Sequence, residues 1–164
     1  MTEISVHSTS VAETQAWAAK LAAVARRGDL IVLVGGLGAG KTRFAQGFAR
    51  ALGVEGPVTS PTFTLVRQYP LGEDQAAEEL LHADLWRLDE SSELGDLSIP
   101  ELLEDRAIAL IEWGERAGEA FGRDRLAVNF FSGPGDEERT LSLDVHGDRF
   151  ASRLVEIRAA WGQS

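Results

Sequence analysis

The sequence of 164 residues contains no cysteine, which excludes disulfide bonds and zinc sites built on cysteine. It also lacks any apolar run near the length of about 20 residues that a membrane-spanning helix requires. The first residues, Met1-Thr2-Glu3-Ile4, do not show a basic region followed by an apolar one. We therefore expect a protein without a signal peptide that works in the cytoplasm.

Positive charge is scarce, because 16 lysine and arginine residues stand against 26 acidic residues and the formal net charge is −10. Tight binding of nucleic acid draws on neutralisation of phosphates by lysine and arginine, so direct, tight nucleic-acid binding is not expected. The charge leaves open a role in a nucleic-acid pathway in which a partner holds the nucleic acid. The hydrophobic content of 44% suits one globular domain over residues 1–164.

Glycine, by contrast, is concentrated in one segment that fits the phosphate-binding pattern G-x-x-x-x-G-K-[ST]. That segment is Gly35-Gly36-Leu37-Gly38-Ala39-Gly40-Lys41-Thr42. The apolar run Leu30–Val34 before it predicts a buried strand, and residues 43–52 after it carry phenylalanine and leucine at helical spacing. This strand–loop–helix context favours a phosphate-binding loop (P-loop, residues 35–42) over a chance glycine-rich turn.

The residue types in the P-loop match the chemistry of nucleotide phosphates. Glycines let backbone N–H groups approach a phosphate closely, and a helix N-terminus adds partial positive charge. Lys41 is predicted to reach the terminal phosphates, and the Thr42 hydroxyl is predicted to ligate Mg²⁺. Arg43 directly follows and is included with residues 35–42 in the predicted nucleotide-binding set.

Two further apolar segments predict strands that end in acidic side chains. Residues 80–85 carry His82 and Asp84, and residues 107–113 carry Glu112. P-loop proteins place an acid at such a strand end for Mg²⁺ or the attacking water, and both Asp84 and Glu112 are candidates; a solvated strand end is the alternative. His82 by itself indicates a structural hydrogen-bonding residue, and zinc is not indicated because no third ligand has suitable spacing.

Two other residues are candidates for the same site. Thr62 lies in a run of hydroxyl residues after the P-loop helix, where a threonine can sense the terminal phosphate through Mg²⁺. A turn whose hydroxyls satisfy backbone groups also explains that run, and the sequence alone favours this simpler explanation. Trp113 either belongs to the core or covers the nucleotide, and residues 10–14 are a minor candidate for contact with the base.

The remaining patterns predict structural elements without a catalytic signature. They are an edge strand at residues 3–8, a helix opened by a capping box at residues 10–13 and ended by Gly28, a strand over residues 63–69, a helix opened by a second capping box at residues 98–101, a β-hairpin of residues 126–131 and 139–145, and an amphipathic C-terminal helix from Phe150 to Trp161.

Four motifs together resemble the TsaE (YjeE) family in their order and spacing. They are the P-loop, Ser60-Pro61-Thr62-Phe63, His82-Ala83-Asp84-Leu85-Trp86-Arg87 and Ile111-Glu112-Trp113. Members of this family are small bacterial ATPases of tRNA threonylcarbamoyladenosine biosynthesis. The resemblance spans residues 10 to 145 and implies a single α/β domain of the P-loop NTPase-like kind, with a mixed central β-sheet flanked by helices.

The resemblance implies ATP and Mg²⁺ as cofactors, weak ATP hydrolysis by the isolated chain, and action beside the proteins TsaB and TsaD. In that family TsaD transfers threonylcarbamoyl to adenosine next to the tRNA anticodon, and ATP resets the complex between turnovers. The isolated chain is expected to be a monomer.

Two other interpretations stay open. One is a switch that needs ATP binding but not hydrolysis; the other, a small-molecule kinase, is disfavoured because no arginine-rich lid is evident. No guanine-reading motif is evident either, which favours ATP over GTP.

Position by position, the resemblance implies that residues 38–42 cradle phosphate. It implies that Thr42 and Glu112 hold Mg²⁺ and that Asp84 assists the metal or the water. Whether Asp84 or Glu112 positions the attacking water is left open. The other site residues that the resemblance implies are Lys41 in catalysis, Thr62 in a switch-like loop and Trp113 beside the nucleotide.

The chain departs from the usual family pattern at three positions. Gly36 stands where members usually carry an acid, which removes a possible polar contact beside the phosphates. Arg43 stands where a second threonine or serine is frequent, and Trp86 stands where tyrosine is usual, so that a hydroxyl is lost. None of the three changes alters the core phosphate chemistry.

Overall fold

The computed structural model describes residues 4–59, 66–85, 103, 106–113 and 124–162. Within these ranges strands and helices alternate up to the second helix; five strands then follow one another, and two helices come last. The elements are β1 (Ile4–Ser8), α1 (Val11–Ala22), β2 (Leu30–Val34), α2 (Lys41–Ala51), β3 (Val66–Pro70), β4 (Glu79–Asp84), β5 (Ala107–Glu112), β6 (Arg125–Ser132), β7 (Arg139–His146), α3 (Asp148–Ala151) and α4 (Leu154–Ala160).

The strands form one mixed sheet in the order β1-β7-β6-β2-β5-β4-β3. Strand β2 is parallel to β5 and β6, and β4 is parallel to β5. The pairs β1–β7, β6–β7 and β3–β4 are antiparallel. The mixed sheet confirms the predicted fold class, and β1 lies at a sheet edge as predicted. Because β2, β4 and β5 run the same way, their carboxyl ends meet at one edge of the sheet, where α/β proteins bind ligands.

The sheet has an apolar core on each face. One face packs against α1, α2 and the C-terminal helices, and Phe44 and Phe48 of α2 are completely buried in it. The opposite face is built on short and branched side chains such as Val32, Leu81 and Ile111. Strands buried on both faces read as unbroken apolar runs, which is why β2, β4 and β5 were predictable from the sequence.

Helix α1 begins at the predicted N-cap, since the Glu13 N–H donates to Ser10 Oγ at 3.1 Å, which is one of the two hydrogen bonds of a capping box. The Glu13 carboxylate instead accepts hydrogen bonds from the N–H and hydroxyl of Thr9, at 2.7 and 2.9 Å. These bonds hold the pKa of the Glu13 carboxyl below its usual range. The predicted helix end at Gly28 is wrong. Helix α1 ends at Ala22, and Gly28, with φ of +89°, serves the turn into β2.

The C-terminal segment is also corrected by the structure. The sequence pattern predicts one amphipathic helix, whereas α3 and α4 are separate and Arg153 lies between them with non-helical backbone angles. The break brings the Arg153 guanidinium to the buried carboxylate of Asp29, with Nη1 and Oδ1 2.8 Å apart. The apolar face is nevertheless as predicted, because Phe150, Ile157 and Trp161 are buried.

Two further predictions are only partly tested. Strand β3 begins at Val66, so the predicted strand residues 63–65 lie outside the described residues, as does the capped helix near residue 98. Strands β6 and β7 form the predicted hairpin with slightly longer arms. None of the helices in the described ranges combines the length and the hydrophobicity that spanning a lipid bilayer requires.

Candidate functional site

The P-loop connects the carboxyl end of β2 to the start of α2. Gly38 and Gly40 have φ of +76° and +104°, which glycine adopts without the strain that a side chain would cause. Gly40 is the N-cap residue of α2 and makes no side-chain cap. A helix leaves its first N–H groups without intrahelical partners, and its dipole favours negative charge there. The start of α2 is therefore built as an anion site.

Lys41 brings a buried positive charge to this loop, since the residue is only 5% exposed. Its Nζ donates hydrogen bonds to the carbonyl oxygens of Gly35 at 2.5 Å and Gly36 at 3.3 Å. The same ammonium lies 3.1 Å from the centroid of the Trp113 ring, an attractive position over the face of an aromatic ring. The loop backbone and the ring thus hold the ammonium at the mouth of the P-loop.

Trp113 has a backbone conformation that is uncommon for a bulky residue, with φ of +60°. It directly follows the last residue of β5, and its N–H donates to the carbonyl of Leu33 on β2 at 3.2 Å. Strained backbone of this kind concentrates at ligand sites, where the surrounding structure holds it in place. The tight turn aims the indole at Lys41, which fits the expected location of Trp113 beside the site.

Glu112 links three elements through its two carboxylate oxygens. Oε1 accepts a hydrogen bond from the Thr42 hydroxyl at 2.9 Å, which joins the end of β5 to the start of α2. Oε2 lies 2.6 Å from Nε2 of His82 on β4. Glu112 and His82 are 2% and 0% exposed, so this contact is shielded from water. The predicted pair of Thr42 and Glu112 is therefore in contact, and His82 is a direct partner of the acid.

Asp84 is the neighbour of Glu112 across the sheet, because the two residues are register partners in β4 and β5. Register partners on adjacent strands point to the same face, and Asp84 is largely buried there. A hydroxyl and two carboxylates are hard oxygen donors, which fit Mg²⁺. No three His, Cys, Asp or Glu side chains gather as a ready-made cage in the described part of the chain.

A small cleft of about 180 Å³ lies beside the P-loop. Its walls include Val11 and Thr14 of α1, Gly38 and Arg43, and Arg139 at the start of β7. Arg139 was missed by sequence reasoning, because no local motif marks it. Its guanidinium reaches across the cleft to the P-loop backbone, 100 positions away in the chain.

The other predicted site residues divide into three groups. Arg43 lines the cleft, and Leu37 projects from the P-loop with 84% of its surface exposed. At Gly36 a Cβ atom would meet no atom within 4 Å, so the backbone there leaves room for the first atom of a side chain. Thr62 and Trp86 lie outside the described residues.

Comparison with known proteins identifies the family. Residues 8–141 match the family model described as threonylcarbamoyl adenosine biosynthesis protein TsaE. The chain belongs to the TsaE family. It is 35% identical to the tRNA threonylcarbamoyladenosine biosynthesis protein TsaE of Bacillus subtilis, over 96% of this chain and 95% of the relative. The corresponding protein of Streptomyces coelicolor is 39% identical over 85% of this chain and 95% of the relative.

The fold comparison agrees with the TsaE assignment. A crystal structure of YdiB from Bacillus subtilis superposes with a TM-score of 0.78 at 30% sequence identity. The match covers 95% of this chain and 94% of the YdiB chain. The resemblance inferred from four short motifs is thus confirmed, and the family to which the chain belongs is one of tRNA threonylcarbamoyladenosine biosynthesis.

Proposed function

We propose that this member of the TsaE family binds ATP with Mg²⁺ and hydrolyses it in the cytoplasm, in support of threonylcarbamoyladenosine formation on tRNA. The observation that carries the proposal is the 2.9 Å contact between the Thr42 hydroxyl and the buried Glu112 carboxylate, at the helix end of the P-loop. In P-loop NTPases a hydroxyl at this position and an acid from a neighbouring strand hold Mg²⁺ between them.

The phosphates of ATP are proposed to lie on the P-loop. N–H groups of residues 38–42 bind their oxygens, and Lys41 moves from the Gly35 carbonyl and the Trp113 ring to the terminal phosphates. The cleft beside the loop is the proposed place of the base, which fits the minor sequence prediction for residues 10–14 because Val11 and Thr14 line it.

Mg²⁺ would be held by Thr42 and Glu112, with Asp84 directly or through water. When bound, it would neutralise charge that develops on the transferring phosphoryl group. Because the Thr42 hydroxyl donates its hydrogen to Glu112, a lone pair of the same oxygen would be available to the metal, while the His82 contact keeps the Glu112 carboxylate in place. Either Glu112 or Asp84 orients the attacking water.

Hydrolysis by the isolated chain is proposed to be slow and to rise with TsaB and TsaD. An arginine supplied by a partner can be worth ~10³–10⁵ in rate in P-loop enzymes. The acidic chain suits a subunit that docks on partners holding the tRNA rather than one that binds it. Hydrolysis would then reset the TsaB–TsaD complex between turnovers.

The test is steady-state ATP hydrolysis with Mg²⁺, by the chain alone and with purified TsaB and TsaD. Slow turnover that rises with the partners is the expected result; a rate that is the same with and without them would contradict partner activation.

Lys41→Ala should weaken ATP binding by about 1.5–3 kcal/mol, which is roughly 10- to 150-fold in Kd. Lys20→Ala is the matched control, because Lys20 is the only other lysine and lies over Trp17. Equal ATP affinity in the two variants would contradict the P-loop assignment.

A nucleotide-dependent switch is the second candidate, and the contact between Lys41 and Trp113 favours it. Phosphate binding would draw Lys41 away from the ring, so ATP binding alone would remove a contact of Trp113, a residue with φ of +60°. Glu112→Gln separates the two candidates, provided that ATP binding by this variant is verified. Multiple turnovers of tRNA modification with this variant would favour the switch; a single turnover would favour the ATPase.

A further inference from the structure

The Arg139 guanidinium contacts main-chain carbonyl groups of two separate segments. Nε donates to the carbonyl of Ala39 at 2.9 Å, and Nη2 donates to the carbonyl of Gly38 at 3.0 Å. Nη1 donates to the carbonyls of Asp136 and Glu138, at 3.0 and 2.7 Å. Two of these acceptors belong to the P-loop and two to the β6–β7 turn. One side chain therefore ties the tip of the hairpin to the tip of the P-loop.

These contacts are made to peptide groups rather than to acids. The turn carries Asp136, Glu137 and Glu138, yet within the described residues none of their carboxylates forms an ion pair with Arg139. Hydrogen bonds from a charged donor are stronger than those between neutral groups. The guanidinium therefore fixes the orientation of main-chain carbonyl groups in the P-loop and in the β6–β7 turn.

Besides Arg139, hydrogen bonds within the loop support the P-loop tip. The Ala39 N–H donates to the Gly36 carbonyl at 3.2 Å, and Lys41 Nζ donates to the carbonyls of Gly35 and Gly36. At Gly36, Gly38 and Gly40 a Cβ atom would meet nothing within 4 Å, so no neighbouring group fills the space where a side chain would stand. Glycine samples more backbone conformations than any other residue, which makes such a tip costly to order. In contrast, a Cβ atom placed on Gly35, at the base of the loop, would lie 3.0 Å from the Cβ of Phe130.

Peptide geometry links these carbonyl contacts to the anion site. A trans peptide is planar, and its C=O and N–H groups point in opposite directions. When Arg139 holds the carbonyl of Ala39, the N–H of Gly40 in the same peptide must point away from the guanidinium. A single side chain can therefore decide which way loop N–H groups face.

We propose that Arg139 is a positioning residue of the P-loop. By holding the Ala39 carbonyl it keeps the Gly40 N–H directed away from the guanidinium before nucleotide arrives, and it makes the β6–β7 turn part of the nucleotide site. Its bond to the Gly38 carbonyl fixes the adjoining peptide, whose N–H donates to the Gly36 carbonyl at 3.2 Å. The effect on nucleotide affinity rests on the proposed function above, whereas the effect on loop order does not. If loss of Arg139 lowers the receptive population to a tenth, the Kd for ADP rises about 10-fold.

The experiment compares Arg139→Lys and Arg139→Met with wild type and with Arg125→Met. Lysine keeps the charge but has a single donor nitrogen in place of the planar fork. Arg125 is a matched control, because it starts β6 at the opposite end of the same hairpin. The first readout is amide hydrogen exchange of peptides covering residues 35–42 in nucleotide-free protein, and the second is ADP affinity by calorimetry.

Both Arg139 variants should exchange faster in the P-loop and bind ADP about 10-fold more weakly, and Arg125→Met should change neither readout. Wild-type behaviour of Arg139→Lys would overturn the proposal in favour of a charge effect, and unchanged loop exchange in that variant would overturn it as well. If Arg139→Met does not fold, the lysine variant decides. A wild-type chain that does not bind ADP would refute the proposed function, while the exchange data would still test the positioning role.

Discussion

Glu112 connects the parts of the candidate site, because each of its two carboxylate oxygens has a different partner. Oε1 faces the Thr42 hydroxyl, and Oε2 faces His82. The first contact uses the hydrogen of the Thr42 hydroxyl and leaves a lone pair of its oxygen for a metal. The second can persist, and a hydrogen-bond partner behind a ligating carboxylate orients it toward the ion. The hydrogen bond of His82 to Glu112 agrees with the hydrogen-bonding role that the sequence indicates, and it puts His82 directly behind the proposed metal ligand.

Replacing His82 should weaken the coupling between Mg²⁺ and ATP. Loss of a hydrogen-bonding partner behind a metal ligand typically costs 10- to 100-fold in metal affinity. The factor by which Mg²⁺ lowers the Kd for ATP should therefore be about 10- to 100-fold smaller in His82→Leu than in wild type. His82→Gln, which keeps an N–H donor, should restore part of it. The measurement is the Kd for ATP by calorimetry, with Mg²⁺ and with a chelator.

His146→Leu is the control for this experiment, because His146 ends β7 away from Glu112. Equal weakening of ATP binding with and without Mg²⁺ in His82→Leu would indicate general damage to the site and contradict the assigned role. So would a glutamine variant as defective as the leucine variant.

Residues of the site were predictable from the sequence where a local motif fixes their spacing. Lys41 and Thr42 follow from the P-loop pattern, and Glu112 from an acid after an apolar strand. Arg139 and the His82–Glu112 contact were not predictable, because they join residues 100 and 30 positions apart. Such contacts depend on which strands become neighbours, and strand order is not written in any local pattern.

At the scale of elements, the close packing of α1 on α2 supports the P-loop. Gly47 lies in the middle of α2, where glycine lowers helix propensity by about 1 kcal/mol relative to alanine. A Cβ at this position would lie 2.6 Å from the carbonyl oxygen and 2.7 Å from the Cα of Gln15 in α1. The glycine is thus required by the approach of two backbones, which the sequence alone does not reveal.

Gly47→Ala should therefore destabilise the protein despite its better helix propensity. Overpacking against backbone atoms costs about 1–3 kcal/mol, and the propensity gain offsets only part of it. We expect a net loss of about 1 kcal/mol or more in the free energy of unfolding, measured by urea denaturation. Gly72→Ala is the control, since a Cβ there meets nothing within 4 Å. A Gly47→Ala variant as stable as wild type would show that α1 and α2 separate at little cost.

The C-terminal helices show where prediction from the sequence stops at the element scale. The spacing of Phe150, Ile157 and Trp161 gives the buried face correctly. The same spacing hides the break at Arg153, because an arginine within such a pattern is normally read as part of a solvated face. Its partner, Asp29, lies 124 positions earlier, just before β2.

At the scale of the whole molecule, Asp29 fastens the C-terminal segment to the centre of the sheet. It is 1% exposed, and Oδ1 accepts hydrogen bonds from Arg153 Nη1 at 2.8 Å and Arg149 Nε at 3.0 Å. Oδ2 accepts a hydrogen bond from the Arg26 N–H at 2.8 Å. Arg153 also donates to the carbonyl of Val24. This cluster lies at the start of β2, at the opposite end of the strand from the P-loop.

Asp29→Asn should cost about 3–5 kcal/mol in the free energy of unfolding, because it leaves the buried Arg153 guanidinium without its countercharge. Glu156→Gln is the control, since it removes the exposed pair with Arg26, whose loss should cost at most about 1 kcal/mol. Urea denaturation measures both. In the fraction of Asp29→Asn that remains folded, ADP affinity should match wild type, because the cluster and the P-loop lie at opposite ends of β2. A small loss in the free energy of unfolding would mean that water solvates the Arg153 guanidinium when the residue at position 29 is neutral. Weakened ADP binding would mean that the two ends of β2 are energetically coupled.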